Sequence, residues 1–464
     1  MENQNKVRAD LRQLKPFFIV AFVGIIYHLR IRPMAGDDVF FSQATSELGL
    51  WNYLIQRYET WTSRFVIEFL LVWIIKYPIL WRLIDLALFI SFPVLISKIF
   101  DGGKLMDWCA AAAVLLYPFH DMGTAGWITT TVNYFWPVWG MFFDGFLLKK
   151  MLVHKKINIV EGIEGVLVCV IASSHEQVAV ILFVVLILYG IYLICGKSKK
   201  MPLVQDSAGS TLTDKKVIHS NNLYLAGMVL VNIITLISIL FCPGNAGRNA
   251  VSIADLPIFE TYGFGDKLYL GLLSIERVFI ANCDAVFLTV ALVLAMLVYV
   301  KTDDYKKTII SALPVLILFG QTAMRTAYPG LSGLFVMPQE ITEWSWGTLS
   351  TWLPMVYLAV TVAAMLYALW IILGEQPIEY IYALLMLGCG FGAGMILGFM
   401  ATIYVSGERV YITLYFILLF VTMFCIYRMA DAVEEKLKQT GGKLAVTLLA
   451  LICLINIGFV TLSC

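Results

Sequence analysis

The chain has 464 residues, of which 60% are hydrophobic and 14% charged, and its mean hydropathy is +0.82. A water-soluble domain is about half apolar and about a quarter charged, so this composition excludes a soluble enzyme and identifies an integral membrane protein. The 33 Lys and Arg nearly cancel the 32 Asp and Glu, which argues against nucleic acid as a partner, since that needs an excess of cations.

Residues 3–15 are polar, and no small-residue cleavage site follows the first apolar run, so that run is expected to stay as an uncleaved anchor. A span takes about 20 apolar residues. On that criterion thirteen are predicted, at 17–31, 79–98, 105–119, 135–150, 158–173, 177–195, 222–242, 284–300, 308–323, 351–373, 379–402, 410–429 and 443–462. The expected fold is therefore an all-α integral membrane protein forming one polytopic domain over 1–464.

Residues 65–75 are apolar but short, carry Glu68, and are flanked by Arg64 and Lys76. They are read as a helix lying in the interface; counting them as a span would reverse everything that follows. With the N-terminus inside, the inner segments carry about two Lys or Arg for each one outside, as the positive-inside rule requires. The C-terminus then lies outside, and the expected location is the plasma membrane. The first outer loop, 30–78, is long. Its apolar stripe of Phe40, Ala44, Leu48, Trp51, Ile55 and Tyr58 predicts juxtamembrane helices. The polar stretch 197–222 reads as a cytoplasmic linker. The nine cysteines sit mostly in spans and form no Cys-x-x-Cys pair, so neither a disulfide framework nor a zinc site is indicated.

Gly36-Asp37-Asp38 follows the first span. Carboxylates near hydrocarbon are costly and usually functional, although Gly-Asp is also ordinary turn chemistry. In this topology the other unusual polar motifs also fall outside: Trp61-Thr62-Ser63-Arg64-Phe65, His120-Asp121, Asn133-Tyr134-Phe135-Trp136-Pro137, His175-Glu176, the 243–248 segment with Arg248, Arg325 with Tyr328, and Glu408-Arg409. Together they are expected to form the rim of one cavity.

Arginines on the outer side run against the charge bias. Arg64, Arg248, Arg325 and Arg409 are candidates for a phosphate headgroup, which a guanidinium binds at two points; snorkelling is the plain alternative. An acidic pair facing bound phosphate fits deprotonation of an acceptor hydroxyl, which then attacks a sugar carbon whose leaving group is a lipid phosphate. Trp51, Trp61, Trp127, Tyr134, Trp136, Tyr328, Trp344 and Trp346 flank these motifs and could stack on sugars or form an interfacial belt. Neither a phosphate-binding Gly-Lys-Ser/Thr loop nor His-Glu-x-x-His is present.

These elements resemble the GT-C superfamily of multispanning glycosyltransferases. The likeness is to bacterial members with an Asp-Asp pair after the first span (here Asp37-Asp38), a Trp-x-x-Arg-Phe element (Trp61 to Phe65) and an Asn-Tyr-x-Trp-Pro element (Asn133 to Pro137). The resemblance implies a long first outer loop that supplies the catalytic acid, Asp37 or Asp38. It also implies a polyprenyl-phosphate-linked sugar donor, usually inversion, and in some members a divalent cation, for which Asp37 with Glu176 or Glu408 would serve. The last span is expected to run to the terminus, without the large soluble domain of the oligosaccharyltransferase branch, which argues against a protein acceptor recognised by such a domain; the acceptor expected is a hydroxyl of a surface glycan. A polymerase or ligase of lipid-linked polysaccharide and a flippase of lipid-linked sugars are the rival readings.

Overall fold

A computed structural model describes residues 14–153, 155–196, 215–328, 330 and 349–464. Among the described residues the secondary structure is entirely helical. Eight helices among the described residues are long and apolar enough to cross a membrane, and the bent pair Tyr305–Ser311 and Leu313–Met324, taken as one span, makes nine. The expected thirteen are not reached. Four of the predicted segments form helices too short for the criterion: Lys15–Arg30, Lys104–Leu116, Trp136–Leu152 and Ile159–Ser173, of 16, 13, 17 and 15 residues. Hydropathy located each of them: Lys15–Arg30 and Trp136–Leu152 are as long as the apolar runs that predicted them, and Lys104–Leu116 is cut short where Tyr117-Pro118 leads into a 3-10 turn.

The chain divides into two compact units. The first comprises Gly24–Gly102 and Met122–Arg248. Its core is aromatic: Phe92 meets Phe135 and Phe142 edge-on, with centroids 5.8 and 5.2 Å apart. Pro78–Ile99 and Trp136–Leu152 pack together, and Ile159–Ser173 lies against the latter, where Gly140 lets Val168 and Ala172 approach its backbone. Asn158 and Glu161 form a reciprocal capping box that starts Ile159–Ser173.

The first outer loop folds as Asp37–Gln43, Leu50–Thr60 and Phe65–Ile74. The apolar stripe does not lie on one helix, because Gly49 takes φ +71° and breaks it. Phe40, Trp51 and Ile55 keep exposed apolar faces. Phe65–Ile74 has 10 residues, about 15 Å of helix, too short to cross. Its buried Glu68 accepts from Tyr53 Oη at 3.0 Å and from Arg57 Nη2 at 2.8 Å, which ties it to Leu50–Thr60. The sequence linker 197–222 is shorter than expected, since the helix Lys215–Leu240 already occupies its end; 197–214 lie outside the described residues.

The second unit comprises Met1–Val23, Gly103–Asp121 and Asn249–Cys464. Its central helix, Ile412–Arg428, is buried on nearly every side. The aromatic rings of Tyr117, Phe279, Tyr415 and Phe416 cluster beside it. Asn456 donates to the carbonyls of Leu115 and Leu116, at 2.8 and 3.0 Å, satisfying acceptors that the end of Lys104–Leu116 leaves open.

Candidate functional site

The first unit gathers most of the unusual motifs around Arg64. This residue sits at the non-helical position just before Phe65–Ile74, where the chain has turned after Trp61. Arg64 grips Glu176 at two points: Nη2 lies 2.7 Å from Oε2, and Nε donates to both carboxylate oxygens at 2.9 and 3.1 Å. Ser63 Oγ donates to Glu176 Oε1 at 3.0 Å. The remaining arm, Nη1, donates to Asn133 Oδ1 at 3.2 Å, and the guanidinium lies 5.3 Å from the centre of the Tyr134 ring. Burial alone would lower the pKa of Arg64, but Glu176 and Tyr134 outweigh it and hold it above the ordinary arginine range.

Arg248 brings a second guanidinium to the same place. Gly244 and Gly247 lie on one face of the helix Gly244–Asp255. A Cβ on Gly244 would fall 2.5 Å from the Trp61 nitrogen, and one on Gly247 would fall 2.3 Å from the Thr60 carbonyl oxygen. Only glycine permits that approach, and it delivers Arg248. Burial and then the Arg64 charge depress the pKa of Arg248, while Glu176 and Tyr134 oppose them. The Glu176 charge thus acts on both guanidiniums and is in contact with that of Arg64. Arg57, engaged with Glu68, also packs over the Trp61 ring at 5.4 Å.

His175, adjacent to Glu176, is 1% exposed, and neither ring nitrogen has a hydrogen-bond partner. Its ring meets that of Tyr134 edge-on at 5.2 Å. Burial and then Arg64 lower its pKa to about 3, so it is neutral at physiological pH.

The two members of the acidic pair have different places. Asp38 is fully buried and accepts four hydrogen bonds: from Thr129 N and Oγ1 at 2.8 Å each, Met34 N at 3.1 Å and Ile128 N at 3.3 Å. It caps the short helix Trp127–Thr130, and Gly126, at φ +112°, leaves room for its carboxylate. Asp37 is exposed, with its N–H donated to Ala125 O at 2.8 Å. The pair is joined to the arginines by an unbroken line of contacts. Asp38 holds Thr129, the Thr129 carbonyl accepts from Asn133 Nδ2 at 2.8 Å, and Asn133 accepts from Arg64.

Trp136 faces the other way: its Nε1 donates to Asp85 Oδ1 at 2.7 Å in the interior. Its place is therefore structural packing and not a rim.

The remaining candidates belong to the second unit. Glu408 accepts from Asn282 Nδ2 at 3.1 Å, and Arg409 acts on Asp121. Asp121 is buried; desolvation first, then the Glu408 and Asp284 carboxylates, raise its pKa to about 8. Tyr328 is exposed just after Leu313–Ala327, the helix that contains Arg325; the Arg325 side chain, like Trp344 and Trp346, lies outside the described residues. The expected single ring of polar motifs thus divides between the two units. Among the described residues no group of three His, Cys, Asp or Glu is arranged to hold a metal ion, and the Glu176 carboxylate is occupied by Arg64 and Ser63.

Thr129, Trp81, Asp85 and Arg57 were not singled out from sequence; Ser63 stood only within its motif, and Glu68 only as a mark of an interfacial helix. Asp85 and Glu68 carried a legible signal, an acid within an apolar run. Thr129 carried none.

The chain matches no family model, no curated protein and no solved structure; what stands is a multispanning helical membrane protein.

Proposed function

We propose that the chain is a GT-C-like membrane glycosyltransferase of about thirteen spans. It moves a sugar from a polyprenyl-phosphate carrier to a hydroxyl of a cell-surface glycan, on the outer face of the plasma membrane. The observation that carries this reading is Arg64, bonded through Asn133 and Thr129 to Asp38 of the acidic pair, with Arg248 near enough for the two guanidinium charges to act on each other. Paired guanidiniums suit a phosphate ester, and a nearby carboxylate suits activation of a hydroxyl.

Asp37 is the general base in this reading. The oxygens of Asp38 are already committed to four donors, whereas Asp37 is exposed. Tyr134 and Trp61 offer ring faces to a sugar, and neutral His175 offers a hydrogen bond to the carrier phosphate or to the sugar. The exposed apolar faces of the first-loop helices suit the membrane interface. The Lys and Arg distribution supports a cytoplasmic N-terminus and an extracytoplasmic C-terminus.

The test is transfer from a panel of radiolabelled polyprenyl-phosphate hexoses by the purified protein in proteoliposomes supplied with cell-surface glycan. The proposal predicts release of polyprenyl phosphate and labelled glycan by the parent, and none by Asp37→Asn. Equal transfer by both removes Asp37 from the mechanism.

A second reading, a flippase of lipid-linked sugars, is favoured by one observation. His28 and Asp85, in two apolar helices, form a buried 3.0 Å pair, the kind of intramembrane ionisable site that transporters use. Movement of a fluorescent lipid-linked sugar across liposomes without transfer would select it.

A further inference from the structure

Residues Thr131–Phe135 form one π-helical turn between the helices Trp127–Thr130 and Trp136–Leu152. Its defining bond runs from the Trp136 N–H to the Thr131 carbonyl, five residues back. The two residues that close the turn are also the two held from Pro78–Ile99. Trp81 Nε1 donates to Thr131 Oγ1 at 2.9 Å, and Asp85 Oδ1 accepts from Trp136 Nε1 at 2.7 Å. Trp81 and Asp85 are four apart, on one face of an ordinary α-helix. Their partners are five apart, and only the wider turn puts residues at that spacing on one face.

All four contact residues are buried, Asp85 and Thr131 completely. Thr131 Oγ1 passes its own proton to the Trp127 carbonyl at 2.9 Å. Asp85 is braced in turn: His28 Nε2 lies 3.0 Å from its second oxygen, and His28 Nδ1 donates to Gly24 O at 2.7 Å. Inside the clamped turn lie Asn133 and Tyr134, which meet Arg64 beside Glu176. π-Turns inside α-helices recur at functional sites.

The geometry points to Trp81 and Asp85 as positioning residues: they hold the π-turn in the register that presents Asn133 and Tyr134 to Arg64. That they act on ligand binding rests on the reading of Arg64 as a phosphate site; that they hold the turn does not.

The test uses the full chain in nanodiscs, with polyprenyl phosphate as the probe. Trp81→Phe and Trp136→Phe keep an aromatic ring, smaller than the indole, and remove the N–H groups. Both should speed amide exchange across 131–136 and leave Ile159–Ser173 unchanged; unaltered exchange in both variants overturns the clamp. Trp136→Phe and Asp85→Leu should each weaken probe binding about tenfold. Asp85→Asn should bind as the parent does, because its amide oxygen still accepts from Trp136 and its NH2 can donate to a neutral His28. Equal loss in Asp85→Asn and Asp85→Leu assigns the effect to charge and overturns positioning.

In an Arg64→Lys background, Trp136→Phe should cause no further loss. Additive losses mean general destabilisation and also overturn the proposal. If the parent binds no probe while exchange rises as stated, the phosphate reading of Arg64 falls and the clamp stands.

Discussion

Asp38 accepts both the backbone N–H and the hydroxyl of Thr129, at 2.8 Å each. That double contact fixes the start of the segment carrying Asn133 and Tyr134, so Asp38 is a structural cap, and the proposed chemistry falls to its exposed neighbour Asp37.

The two acids should therefore fail differently. Asp38→Asn turns an NH2 toward backbone donors and leaves buried N–H groups unsatisfied, at about 1–3 kcal/mol each. Its unfolding midpoint in detergent should fall clearly. Asp37→Asn should leave the midpoint unchanged and reduce transfer by about a hundredfold or more, as expected for a general base. A normal midpoint for Asp38→Asn would refute the cap.

Arg64→Lys keeps the charge but cannot reproduce the two-point contact with Glu176 while also reaching Asn133. In the proposed reading the guanidinium also meets the phosphate at two points, and losing one charge-assisted contact to it costs about 1.5–3 kcal/mol, so polyprenyl phosphate should bind roughly ten- to a hundredfold more weakly. Titration calorimetry of the variant measures this directly, and parental affinity would leave Arg64 a structural residue.

Gly247→Ala places a methyl group 2.3 Å from the Thr60 carbonyl oxygen, a backbone atom that cannot swing aside. Overpacking of this kind costs about 1–3 kcal/mol and should displace Arg248. Gly265→Ala, where no atom lies within 4 Å, is the control. Reduced stability and weaker probe binding are expected for the first alone.

The Asp121 carboxyl, with its pKa raised to about 8 by burial and by the neighbouring acids, makes stability fall as pH rises. Above the ordinary Asp range the unfolded chain has released its proton while the native chain still holds it, so each step toward pH 8 favours unfolding. The penalty levels off above about pH 8. The stability of the parent relative to Asp121→Asn, from melting curves between pH 5 and 9, should fall as pH rises, a comparison that cancels the opposite contribution of His175. A difference that does not change with pH would show that Asp121 titrates normally.

Orientation is tested with single cysteines in a background lacking the nine native ones. Replacements at Ser46, Thr124 and Val405 should react with an impermeant reagent in intact cells; those at Gly103 and Tyr305 should react only after lysis. The reverse pattern would invert the topology.

The sequence by itself determined the class and the positions of the helices, because hydropathy is a sum over neighbouring residues and needs no tertiary information. Residues 65–75 were kept from the list of spans by length and by Glu68, and the helix there has 10 residues. The break in the first-loop stripe was not legible: glycines such as Gly49 act through backbone angles that composition does not encode. Local motif also brought Arg64, Asn133, Tyr134, Glu176 and Arg248 to notice, since charges and aromatics at the ends of apolar runs are visible in one dimension. Only the tertiary structure decided which of them meet. It separated Asp38 from Asp37 by burial, turned Trp136 inward to Asp85, and divided the polar motifs between two units. Each outcome depends on hydrogen bonds between residues tens of positions apart, 91 for Asp38 with Thr129 and 112 for Arg64 with Glu176, and such partners are chosen by packing, not by local pattern.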